Sequence, residues 1–417
     1  MPDSTSQSAA RPPVRPLPLA EFVAMTAMLM ATNAIAIDIM LPALPQMGER
    51  FGIAQENDRQ LIVISYMIGF SISQLVYGPL TDRFGRRNVL FISLGCYAIA
   101  GVCCIFSPNF TLLIASRVFQ GASAGGSRVI AVSAARDLYA GRTMAKVMSL
   151  AMIVFKAAPI LAPSIGQALL QIVDWKGIFW FLSLFGAAMF LWVLMRLRET
   201  LPLERRVPLN LRTMTRNYFK ILCTRESLGY TIASGLIFGG LMSYVSSSEQ
   251  IYHEVYHTGA LFPIWFAGAA GAMSVSNLIN SRFVERFGMR KMSHGALIGF
   301  VVVTGLHAFL ALQGPVPFAI FYGLMLVAFF MIGFQGPNYS AIAMEPLGAL
   351  AGSAAALIGF ASSFASALIG GYIARQFNGT ITPILVGQFA VSFLALATVL
   401  VTERGRLMQP HHLPPPT

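Results

Sequence analysis

Gly78-Pro79-Leu80-Thr81-Asp82-Arg83-Phe84-Gly85-Arg86-Arg87 closes one hydrophobic segment and opens the next, and a weaker copy, Glu285-Arg286-Phe287-Gly288-Met289-Arg290, does the same later in the chain. Glycine permits a tight turn and close helix packing, while the Asp and Arg side chains suit a place where a helix end meets water. Working outward, the charge-rich stretch Arg196 to Arg225, punctuated by Pro202 and Pro208, divides six hydrophobic segments from six more. Such internal duplication is how many transporters are built, with the binding site between the halves near the midplane of the bilayer. Receptors and membrane enzymes have no general reason to show it.

Composition agrees. The 417 residues are 56% hydrophobic and 11% charged, with a mean hydropathy of +0.66, whereas soluble domains carry about 25% charged residues. Roughly 20 apolar residues span a hydrocarbon core of about 30 Å. The pattern predicts twelve spans, at 19–41, 59–80, 88–106, 110–135, 144–170, 175–196, 227–249, 261–283, 292–312, 316–342, 348–373 and 380–402. The expected fold class is an all-α membrane protein with twelve transmembrane helices in two six-helix halves. The divisions are a disordered tail at 1–18, halves at 19–197 and 226–403, a linker at 198–225 and a second tail at 404–417. Within the linker, Asn210 to Leu222 reads as an amphipathic helix on the membrane surface.

Lys and Arg accumulate in short cytoplasmic loops. With both termini cytoplasmic, 22 of the 29 basic residues fall inside, and only Arg50, Arg59, Lys176 and Arg375 outside. The formal net charge of +12 then reads as topology and contact with anionic lipid headgroups, with no need of a nucleic-acid partner. The first eighteen residues lack the short apolar core and cleavage site of a removable signal. Cys96, Cys103, Cys104 and Cys223 suggest neither a disulfide framework nor a metal site.

The remaining basic residues, Arg117, Arg128 and Lys156, lie inside predicted helices, as does Asp38. Ionisable groups at bilayer depth are costly and are retained mainly where they function. A carboxylate whose surroundings alternate between a cation and water can load and release protons, and Asp38 beside Arg117 fits that role. A permanent structural ion pair is the alternative for Asp38, and a tie between the first and fourth spans is the alternative for Arg117. Arg128 returns to the helix face of Arg117 eleven residues on, so it either lines a cavity or snorkels to the headgroups. Lys156 falls in mid-span and reads as cavity-facing.

Gly78 to Arg87, with its weaker copy, resembles the loop signature of the major facilitator superfamily. Arg117-Val118-Phe119-Gln120-Gly121-Ala122-Ser123-Ala124-Gly125-Gly126 resembles the fourth-helix motif of its proton-coupled members. Ala162-Pro163-Ser164-Ile165-Gly166 resembles the fifth-helix motif of drug:proton antiporters, with Ala where Gly is usual. Asp38-Ile39-Met40-Leu41-Pro42-Ala43-Leu44-Pro45 and Gln74-Leu75-Val76-Tyr77-Gly78-Pro79 most resemble the Bcr/CflA branch of multidrug and phenicol exporters. The resemblance covers essentially the whole chain. It implies a switch made of Gly78, Asp82, Arg83, Gly85, Arg86, Arg87, Pro163 and Gly166, with Asp82 and Arg86 joining Asp137 to hold the outward-facing state. It also implies a central cavity reached by Met30, Tyr66, Tyr244, Trp265, Phe330, Phe334, Asn338 and Tyr339, whose aromatic and Met side chains bind varied compounds through contact area.

No Walker loop, dinucleotide fingerprint or metal-spaced His and carboxylate pair is present, so neither enzyme chemistry nor a cofactor is expected. With Asp38 against three basic residues, the membrane part of the first half is net positive, which predicts neutral or anionic substrates. The sequence reading is a monomeric, proton-coupled antiporter of the bacterial inner membrane, exporting small molecules such as phenicols by alternating access and driven by the proton gradient. An exporter of one metabolite or siderophore and a non-transporting sensor are the alternatives.

Overall fold

The computed structural model describes residues 17–409, except for the side chains of residues 142, 145, 211, 260, 349 and 351. The expected tail at 1–18 therefore lies almost wholly outside the described residues, as does the last part of 404–417. Lipid offers backbone groups no hydrogen bonds, so a chain of this composition must satisfy them within each segment. The described residues accordingly form helices and no strands. These are α1 (Leu19–Asp38), α2 (Leu44–Arg50), α3 (Leu61–Phe84), α4 (Arg86–Ile105), α5 (Phe110–Leu138), α6 (Gly141–Leu170) and α7 (Lys176–Arg196), then the short α8 (Leu211–Leu222). They continue with α9 (Arg225–Gln250), α10 (Phe262–Phe287), α11 (Met289–Gln313), α12 (Phe318–Met344), α13 (Ala351–Ala374) and α14 (Thr382–Thr402).

Eleven helical stretches among the described residues are long and apolar enough to cross a membrane. The stretch expected at 110–135 is not one of them. It forms the 29-residue α5, which carries Arg117, Arg128 and Arg136 among many small residues. Large apolar side chains such as Ile92, Leu184, Met195, Val302 and Val401 are exposed. In water these would be an aggregation surface, whereas in a bilayer they sit in their own solvent.

Packing separates two groups of helices. In the first, α5 packs on α3, α4 and α1, while α1 packs on α6 and α4 on α7. In the second, α9 packs on α13, α14 and α12, α12 on α10 and α11, and α11 on α14. The groups meet where α3 lies along α13 and α6 crosses α10. The turns from α3 to α4 and from α10 to α11 are superposable in conformation: Gly85 has φ 91° and ψ 155°, and Gly288 φ 84° and ψ 150°. That left-handed φ disfavours any residue with a Cβ, so the two copies of the sequence motif build the same turn. We call the end holding these turns the arginine-rich end, and the other the far end.

Candidate functional site

Asp38 is the last residue of α1, at the point where the chain leaves the helix for the short turn Leu41–Ala43. Opposite stands Gly166 of α6. A Cβ there would lie 2.0 Å from the Ile39 carbonyl oxygen, so only glycine lets α6 approach the end of α1 this closely. Pro163 and Gly166, expected in a switch, thus lie on the helix that abuts the turn carrying Asp38. Asp38 is 6% exposed, and its carboxyl group makes no hydrogen bond or ion pair with another described residue.

Arg117 is fully buried. Its Nε donates to the Ile62 carbonyl of α3 at 3.1 Å, Nη1 to Gln120 Oε1 at 2.6 Å and Nη2 to the Ala36 carbonyl of α1 at 3.2 Å. The guanidinium carbon lies 4.4 Å from the Tyr66 ring centroid and 5.8 Å from that of Phe179. Arg117 therefore reaches the turn of α1 that bears Asp38 but bonds a carbonyl there, so the expected ion pair is absent from this conformation. The guanidinium is thus held by carbonyls, an amide oxygen and aromatic faces, with a bond to α1 two residues before its buried carboxyl group.

Arg128 is exposed on α5, 5.9 Å from the Phe155 ring centroid of α6. Lys156, adjacent to Phe155, is half-buried. The other expected cavity residues divide into two sets. Met30, Tyr66, Tyr244, Asn338 and Tyr339 are buried in helix packing: Tyr244 shares a 2.9 Å hydrogen bond with Tyr252, and Asn338 donates to Asn280 Oδ1 at 2.8 Å. Trp265, Phe330 and Phe334 are half-buried, with Trp265 against Phe318 and Tyr322, and Phe330 edge-on to Phe334.

At the arginine-rich end, Arg86 Nη1 donates to Asp82 Oδ1 at 2.5 Å and to Thr81 Oγ1 at 2.7 Å, and Nε to Asp137 Oδ2 at 3.1 Å. The cluster expected from the motif is formed, and Asp82, Arg86 and Asp137 all belong to the first group of helices. It ties the turn to α5 and to the connector, where Glu199 accepts from the backbone N–H of Arg86 at 2.9 Å and of Arg87 at 3.3 Å. Arg87 Nη2 bonds the Leu194 carbonyl, and Arg83 lies over Phe84.

Two assemblies escaped sequence reading. In the second group, Arg290 Nε donates to Glu403 at 3.1 Å and Nη1 to Glu345 at 3.0 Å. Tyr230 donates to Glu403 at 2.6 Å and shares a 2.7 Å hydrogen bond with His294 Nε2, whose Nδ1 accepts from the Met408 backbone at 3.0 Å. The signal available was the weaker copy of the loop motif.

The second assembly crosses between the groups at the far end. Asn57 donates to the carbonyls of Arg375 and Phe377 at 3.0 and 2.7 Å, Arg375 to Asp58 at 2.7 Å, and Gln60 to Gln250 at 2.5 Å. Arg59 is ion-paired with Glu249 at 3.2 Å and with Glu254. Arg59 and Arg375 as scarce outer cations, with Glu249 at a helix end in the other half, were its trace in the sequence. No ion pair joins the two groups at the arginine-rich end among the described residues. Ion pairs between the groups are thus confined to the far end, while along the α3–α13 contact Gln74 donates to Ser363 Oγ at 2.9 Å.

Two helix groups touching along paired helices, with buried ionisable groups between them, define a multi-pass membrane protein of the transporter class. The chain belongs to the major facilitator superfamily, matching the family over residues 26–371, and is a transporter and not an enzyme. It is 32% identical over 349 residues to the uncharacterized MFS-type transporter YdgK of Bacillus subtilis, covering 82% of this chain and 85% of that one. A bicyclomycin resistance protein homolog of Haemophilus influenzae is 28% identical over 392 residues, covering 92% and 96%. Among solved structures, that of a D-xylose-proton symporter superposes with a TM-score of 0.72 at 14% identity, over 94% of this chain and 98% of that one. That last likeness concerns the fold alone.

Proposed function

We propose that the chain is a proton-coupled antiporter of the Bcr/CflA type, exporting small amphipathic molecules across the bacterial inner membrane as a monomer. In this reading α5 is the twelfth span, the two helix groups are its six-helix halves, and the arginine-rich end and both termini face the cytoplasm. The observation that carries it is Asp38: a buried carboxyl group at the break of α1, packed against Gly166, with no ion pair, two residues from a carbonyl that Arg117 already grips. A shift of Arg117 onto Asp38 would pair the carboxylate and release its proton. Alternation between these arrangements moves protons against substrate, and the gradient supplies the energy.

Arg128 beside Phe155, with Lys156 next along α6, gives the first half a cationic and aromatic surface, which favours neutral or anionic compounds such as phenicols over organic cations. The resistance role named for the Haemophilus relative supports export of antimicrobial compounds.

The test is proton release from energised everted vesicles when a cation, a neutral phenicol or an organic anion is added. Substrate-dependent proton movement is expected for the phenicol or the anion and is abolished in Asp38→Asn. Undiminished coupling in that variant would remove Asp38 from the mechanism, and a strict preference for cations would refute the assigned charge class.

A further inference from the structure

We propose that Glu249 and Glu254, sharing the guanidinium of Arg59, form a second proton-binding site, which holds the far end shut when deprotonated and releases it when a proton binds. It rests on the transport reading only in that the two helix groups part at this end. Nη2 of Arg59, on the segment preceding α3, touches both carboxylates. Glu249 is 2% exposed, whereas a third of the Glu254 side chain meets water.

Local geometry brings the two acids together. After α9 the chain makes a single π-helical turn, Ile251–Val255, closed by the Tyr256 N–H on the Ile251 carbonyl. Such turns are rare and frequently accompany functional sites. Here the turn puts residues 249 and 254 on one side, against one cation. Two carboxylates on one guanidinium leave a negative charge in excess, which a proton neutralises.

The surrounding groups do not cancel that excess. The segment 56–60 adds Glu56 and Asp58, the π turn adds His253, and the end of α13 adds Arg375, which is engaged with Asp58; α2, packed on segment 56–60, adds one charge of each sign, Glu49 and Arg50, both exposed. The turn Leu41–Ala43 and α14, both against α9, hold no charged residue. Nor is the cluster saturated: Arg59 Nε and Gln60 Oε1 are buried without a hydrogen-bond partner among the described residues. An ion pair kept only for rigidity has no use for a second acid or for spare hydrogen-bonding capacity. Protonating Glu249 removes the buried charge that draws α9 itself onto the segment before α3, leaving Arg59 only the partly exposed Glu254 of the π turn, and the neighbouring contacts Gln60–Gln250 and Asn57–Gln250 lose their anchor.

The experiment is a distance measurement between spin labels on Ile172→Cys and Gln376→Cys, exposed at the far end of the first and second groups, in full-length protein whose four native cysteines are replaced. Reconstituted in lipid nanodiscs, the wild type is expected to give a short distance in mildly alkaline buffer and a shift to longer distances in mildly acidic buffer. Glu249→Gln, nearly isosteric, is expected to give the long distance in both, and Glu254→Gln, leaving one acid on one cation, the short distance in both. Asp38→Asn is expected to keep the wild-type response while losing coupled transport. The proposal is overturned if the wild type gives one distribution in both buffers. It is equally overturned if the response survives in Glu249→Gln/Glu254→Gln, or is lost in Asp38→Asn but kept in that double variant.

Discussion

At the start of α4, Arg86 bonds Asp82 and Asp137, and half of the Asp82 side chain meets water. At the start of α11, Arg290 bonds Glu345 and Glu403, and Glu403 has no contact with water at all. The arginines are buried alike, at 10% and 8% exposure, so the two clusters differ in one acid: Asp82 meets water and Glu403 does not. A charge pair in water gains little, since Coulomb attraction is weak there and the ions are well hydrated. Sealed from water, the pair itself adds little net stability, but losing one partner strands the other. Breaking the first cluster lets Asp82 turn to water, whereas breaking the second strands Glu403.

The sharpest way to break this contrast is Arg290→Ala, which leaves Glu403 buried without its cation and is expected to cost about 3–5 kcal/mol of stability. Thermal unfolding in detergent reads it, and a midpoint close to that of the wild type would mean the two clusters are alike. Tyr230→Phe deletes the hydroxyl that links Glu403 to His294, with an expected loss of about 1–3 kcal/mol by the same assay. At the first cluster, where Asp82 can turn to water, Arg86→Ala is expected to lower stability less than Arg290→Ala does, while slowing transport strongly. A large drop in unfolding temperature without a transport defect would reverse the roles assigned to the two halves.

Sequence reading reached the parts that rest on hydropathy and on local motifs. The helices fall close to the expected spans because burial in lipid depends on runs of apolar residues, and the cluster at Arg86 was legible because the motif itself contains Asp82. Its counterpart was not, because Tyr230, Arg290, Glu345 and Glu403 come from four separate helix ends. Asp38 and Arg117 could be singled out as charges in apolar surroundings, but that Arg117 bonds the Ile62 and Ala36 carbonyls and Gln120 rests on helix packing, on which hydropathy is silent. The far-end latch was hidden because Glu249 lies where an acid at a helix end ordinarily meets water. Helix packing alone reveals that it meets Arg59.

The bond from the Met408 backbone to His294 changes where the second half ends. By hydropathy the last span is over at Thr402, and a truncation there would look harmless. Instead it would strip His294 of the donor to its Nδ1, along with Glu403 itself. By the same token, a fluorophore at Gln409 would ride on α11 and report the movement of the bundle, where a loose terminus would report only its own tumbling.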